Sequence, residues 1–156
     1  MRLFDARRPR GRIRAVWWIV MAVALVAGCG KSESTRRKAM QHVKAGEKAH
    51  YGGDAKKGLA AYNKAIQIDP ECKDAYVRRG MLYNESGEPK KALADFTKAI
   101  QLDPEDSYPY EQRAGIYRNH FDDEAKAKSD EKKAFRLRQE ERANMRKRPK
   151  GSEKER

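Results

Sequence analysis

Apolar positions follow two regimes along the chain. From Ala15 to Ala27 they run unbroken for thirteen residues, behind a leader in which Arg2, Arg7, Arg8, Arg10, Arg12 and Arg14 outweigh the single acid Asp5. Further along they are spaced and recur. The block Lys64 to Glu71 returns as Lys98 to Glu105, 34 residues later and with one conservative change, and a fixed period of this length marks a repeat architecture. The same offset relates Gly46 to Gly80 and Ala114, Gly53 to Gly87, Tyr62 to Phe96, Tyr76 to Tyr110, and Tyr83 to Tyr117. Pro70 and Pro104 cannot continue a helix, whereas Gly52-Gly53-Asp54 and Gly87-Glu88-Pro89 mark helix starts. This punctuation predicts first helices over about 37–51, 73–86 and 107–120, and second helices over about 54–68, 89–101 and 122–146.

The period and its residues resemble the tetratricopeptide repeat family. That resemblance implies an all-α fold: a short right-handed α-solenoid of three tetratricopeptide-type helix pairs with an extended C-terminal helix. Repeat 1 covers 39–72, repeat 2 covers 73–106, a degenerate repeat 3 with a cap covers 107–141, and a basic tail covers 142–156. Small residues at Gly46, Gly80 and Ala114, and at Ala65, Ala99 and Ala134, let paired helices approach, while Tyr62, Tyr83 and Phe96 fill the space between them. Repeat 1 has a thin core, with His42, Ala45 and Ala49 where the family carries larger side chains. Repeat 3 needs one extra residue near Phe121 and places Glu131 at the position of Tyr62 and Phe96, so the last pair is expected to splay or to end as a polar cap.

The apolar run is too short for a stable membrane span, about 20 Å of helix against about 30 Å of hydrocarbon. It has the architecture of a secretory signal, and it ends in Val26-Ala27-Gly28-Cys29, which resembles the lipobox of bacterial lipoproteins. The resemblance implies that residues 1–28 are cleaved, that Cys29 is lipidated, and that residues 29–38 form a lipidated flexible tether. Several acyl chains hold a protein stably where one does not. The expected location is the cell envelope, on the periplasmic side, with Gly30 favouring the outer over the inner membrane.

The net charge is +13. The signal carries six Arg and one Asp, so its removal leaves 30 basic and 22 acidic residues, a net charge of +8. Two cysteines and three scattered histidines form no metal-ligand spacing, and Cys72 is expected to be a small buried hydrophobe rather than a disulfide partner. No nucleophile elbow, phosphate loop or paired catalytic acid is present, so neither an enzyme nor a cofactor is expected beyond the covalent lipid on Cys29. Nine basic and four acidic residues lie between Arg136 and Arg156, including Arg146, Lys147, Arg148 and Lys150. Such a cluster suits a wall polymer or anionic lipid; export argues against nucleic acid.

On the family's pattern the first helices line a concave groove for a protein or peptide. The matching positions are Met40, Val43, Glu47, His50 and Tyr51 in repeat 1, Asp74, Val77, Met81, Asn84 and Glu85 in repeat 2, and Tyr108, Glu111, Gly115, Arg118 and Asn119 in repeat 3. Val43, Glu47 and Val77 stand where a carboxylate clamp would need cations or amides, which disfavours a chaperone-tail receptor. The open end of repeat 3 leaves self-association as a further option. The leading reading is a membrane-anchored interaction scaffold, an adaptor in envelope assembly or secretion. The alternative is a structural linker that holds wall polymer or anionic membrane through the basic tail.

Overall fold

Six helices follow one another in the computed structural model, which describes residues 32–147. They are α1 (Glu33–Tyr51), α2 (Ala55–Ile68), α3 (Lys73–Glu85), α4 (Pro89–Leu102), α5 (Ser107–Phe121) and α6 (Glu124–Lys147). The fold is all-α. Signal residues 1–28, Cys29, Arg148 and Lys150 lie outside the described residues.

Local chemistry fixes the boundaries. The Asp54 carboxylate accepts from the Lys57 N–H at 2.9 Å and caps α2, Asp106 caps α5 through the Tyr108 N–H, and Pro89 opens α4. The turns inside the first two repeats use left-handed glycines, Gly53 at φ 83° and Gly87 at φ 73°. In the third repeat Asp122 takes that conformation at φ 51°, 35 residues after Gly87. The extra residue expected near Phe121 therefore falls before this turn, where α5 ends.

One boundary differs from expectation. Helix α1 begins at Glu33, inside the segment expected to be a tether. No Gly or Pro lies between Lys31 and Ala45 to interrupt it, Glu33 sits in the first turn where the helix dipole favours an acid, and Ala39 and Val43 anchor the next turns in the core.

Each first helix packs on its own second helix, and each second helix on the following first helix. Gly46 and Gly80 lie directly under the rings of Tyr62 and Phe96, and Ala65, Ala92, Ala99, Ala127 and Ala134 are fully buried. Tyr62 and Phe96 fill the gaps as expected, and Tyr83 packs against the cluster containing Phe96 from its edge. It is half-buried, with Arg79 and Lys91 over its ring. The third pair closes around Tyr110, Ala134 and Leu137, with no aromatic at the position of Tyr62 and Phe96. Glu131 escapes burial: it stays 45% exposed and pairs with Arg118 at 2.7 Å. The pair is thus packed rather than splayed, with a polar outer face. Cys72 is buried in the first core cluster, and burial pushes its thiol pKa up.

Candidate interaction groove

Helices α1, α3 and α5 touch in series and form one face of the solenoid. Their residues divide into three groups. Val43 and Val77, expected to line the groove, are 2% and 7% exposed and belong to the core. They lie where neighbouring first helices meet: Val43 clusters with Ala75 and Leu82 of α3, and Val77 with Ile116 of α5. A short branched side chain at that seam ends among its neighbours, so both form the floor beneath the groove and offer a ligand no surface.

The second group is polar or charged and paired across helices. Glu47 accepts from Arg78 Nε at 2.7 Å. His50 Nε2 lies 2.6 Å from Glu85 Oε2, its ring stacked on Tyr51 at 5.4 Å and 11°. Glu111 meets Arg138 of α6 at 3.1 Å. Arg118 holds Glu124 at 3.1 Å and Glu131 at 2.7 Å; these bonds raise its pKa, that to Glu131 most. Glu47 and Glu111 are therefore neutralised by arginines that the groove pattern does not include.

The third group projects without charge. Tyr51 is 76% exposed, the Tyr108 hydroxyl donates to Met81 Sδ at 3.3 Å, and a Cβ built on Gly115 would meet nothing within 4 Å. Asn84 Oδ1 and the Tyr62 hydroxyl are buried with no hydrogen-bond partner among the described residues. Burial raises the Tyr62 pKa to about 12, with the negative charge of Glu47 adding to the effect. The groove therefore offers aromatic and thioether contacts at its surface, an open notch at Gly115, and a ring of mutually satisfied ion pairs.

A further repeated network lies behind the groove. Arg79 clasps Asp95 at 2.8 and 2.7 Å and reaches back to Asn63 Oδ1 of the preceding repeat at 2.6 Å. Arg113 does the same with Asp130 at 2.7 and 2.8 Å and with Thr97 Oγ1 at 3.1 Å. The signal was present in the sequence as Arg79 and Arg113 at the repeat offset. Of the basic tail, Arg146 and Lys147 form the exposed last turn of α6.

Residues 74–106 match the tetratricopeptide repeat family model. The chain carries a tetratricopeptide repeat. The fold resembles the crystal structure of MamA, with a TM-score of 0.66 and 21% identity over 69% of this chain and 63% of that one. It also resembles the second tetratricopeptide domain of Spaghetti (RPAP3), solved bound to the HSP90 peptide SRMEEVD, with a TM-score of 0.63 and 22% identity over 68% of this chain and 99% of that one. The repeat protein thus spans less than two thirds of the MamA chain. At these identities the likeness concerns the fold. No curated protein matches the sequence.

Proposed function

We propose that this repeat protein is a lipid-anchored adaptor of the bacterial envelope that holds a protein or peptide in the groove of α1, α3 and α5. The observation that carries the reading is the combination of Tyr51, Met81 and Tyr108 with the open notch at Gly115, above a floor of buried valines. Surface aromatics bring large contact area at low entropic cost, and a rigid concave face suits an extended or helical segment. Because Glu47 and Glu111 are paired with arginines and Glu85 meets His50, such a ligand needs aromatic or apolar side chains more than a strong positive charge. The anchor rests on Val26-Ala27-Gly28-Cys29, which supports lipidation at Cys29 and envelope location.

Two readouts on one preparation test this. Mass spectrometry of the mature N-terminus should find acylated Cys29, and an unmodified or internal Cys29 would remove the anchor from the reading. Capture from the native membrane should retain a specific protein that is lost with Gly115→Phe, whose side chain starts from a position where a Cβ meets nothing within 4 Å. Capture unchanged by Gly115→Phe and Tyr51→Ala would sink the groove.

A further inference from the structure

The face of α6 that would receive a fourth repeat departs from the pattern of its predecessors. In α2 and α4 the corresponding face carries Leu59 and Leu93, Asn63 and Thr97, and Ile66 and Ile100. Ile66 packs against the cluster containing Tyr76 of the next first helix, and Ile100 against the cluster containing Tyr110. Asn63 and Thr97 accept a hydrogen bond from the arginine of that same helix. On α6 the three positions hold Lys128, Lys132 and Phe135, and Phe135 is 59% exposed. A fourth repeat of the same kind would bring its arginine against Lys132, which has no acceptor to offer.

The opposite end of the solenoid does not fit this face either. Where α3 presents Tyr76, Arg79 and Leu82 to the preceding repeat, α1 presents His42, Ala45 and Lys48. Head-to-tail stacking of two copies would bring Lys48 toward Lys128 and Lys132, and like charges facing each other across an interface disfavour it. A second copy of this chain is therefore the wrong occupant.

We propose that the outer face of α6 docks an acidic helix from a different protein, seated as the first helix of a fourth repeat would be. A carboxylate of that helix pairs with Lys132 in place of the repeat's arginine, and an apolar side chain covers Phe135 as Tyr110 covers Ile100. The placement follows from the two internal junctions, and the charge preference from the exchange of Asn63 and Thr97 for a lysine. This surface is separate from the groove and does not depend on it.

The test uses the full chain and a probe taken from its own architecture, a helical, stapled peptide of residues 107–121 with Arg113→Glu. In a fluorescence anisotropy titration it should bind at least about tenfold more tightly than the same peptide retaining Arg113, with Lys132→Glu in the protein reversing the order and Phe135→Ala weakening both. Equal binding of the two peptides, no binding, or an order indifferent to Lys132→Glu would overturn the proposal and leave a solvated cap. Vesicles of phosphatidylcholine with phosphatidylglycerol form the second arm. Vesicle binding that depends on Lys132, without peptide discrimination, would reassign the face to lipid and equally overturn it.

Discussion

The Arg113 guanidinium and the Asp130 carboxylate meet fork to fork across the third helix pair, Nε to Oδ2 at 2.7 Å and Nη2 to Oδ1 at 2.8 Å. The pair repeats Arg79 and Asp95 one repeat later, but in a different setting. Repeat 2 also has Phe96 between its helices, whereas repeat 3 has Glu131 facing outwards. Removing one partner of a buried pair leaves an uncompensated charge, so Asp130→Ala is expected to cost about 3 kcal/mol in urea denaturation. Hydrogen exchange should show α5 and α6 opening together in that variant. With Asp95→Ala, α3 and α4 should remain the better protected, because Phe96 still holds them.

Gly46 and Gly80, the glycines beneath the rings of Tyr62 and Phe96, should respond unequally to alanine. A Cβ on Gly46 would stand 2.5 Å from Tyr62 Cε1, while one on Gly80 would stand 3.2 Å from Phe96 Cζ. The first requires the ring or the helix to move and the second only a slight adjustment. Gly46→Ala is expected to destabilise by about 3 kcal/mol and Gly80→Ala by about 1 kcal/mol or less, read as shifts in urea midpoint, since overpacking works against alanine's helix preference. Combining Gly46→Ala with Tyr62→Leu should recover part of the loss.

Tyr62→Phe should be neutral or stabilising by about 1 kcal/mol, because the buried hydroxyl has no partner among the described residues and Phe96 fills the equivalent site. The alkaline limb provides a second check. The phenol ionises near 10.0 when unfolded and near 12 when folded, so between these values the unfolded chain has lost a proton that the folded chain keeps. This contribution is complete below pH 10 and disappears as the pH rises through 12, about 2 to 3 kcal/mol in all. The Phe variant should decline less than wild type over that window in denaturation at stepped pH.

The fold was legible because its determinants are local and periodic. Gly46, Gly80 and Ala114, with Pro70 and Pro104, announce close helix approaches and helix ends at a 34-residue spacing that survives one insertion. The groove was only partly legible. Val43 and Val77 fall on the family's groove positions, yet whether a side chain there projects or sinks depends on its length relative to neighbours on another helix, such as Leu82 and Ile116. The pairing of Glu47 and Glu111 was not legible, because their arginines, Arg78 and Arg138, lie outside the groove pattern and reach it only in three dimensions. The early start of α1 had the same origin, since a polar stretch becomes helical once Ala39 and Val43 anchor it.

Asp122 holds a left-handed conformation that Gly53 and Gly87 adopt in the earlier repeats. Asp122→Gly is expected to raise stability by about 1 kcal/mol, since aspartate tolerates that region less well than glycine. Asp122→Val should lower it, because a branched side chain is strained there. Thermal melts of the two variants beside wild type would show opposite shifts.

The central claim, that the face of α1, α3 and α5 holds the partner, is tested most directly by site-specific photocrosslinking in the native envelope. A benzophenone side chain would replace Tyr51 or Tyr108 in the groove, and Lys64 or Gln101 on the exposed surface of the second helices, with and without Gly115→Phe. The account predicts one partner crosslinked from Tyr51 and Tyr108, weakly or not at all from Lys64 and Gln101, and lost when Phe fills the notch at Gly115. Labelling from the second helices that equals or exceeds that from the groove, unaffected by Gly115→Phe, would contradict it.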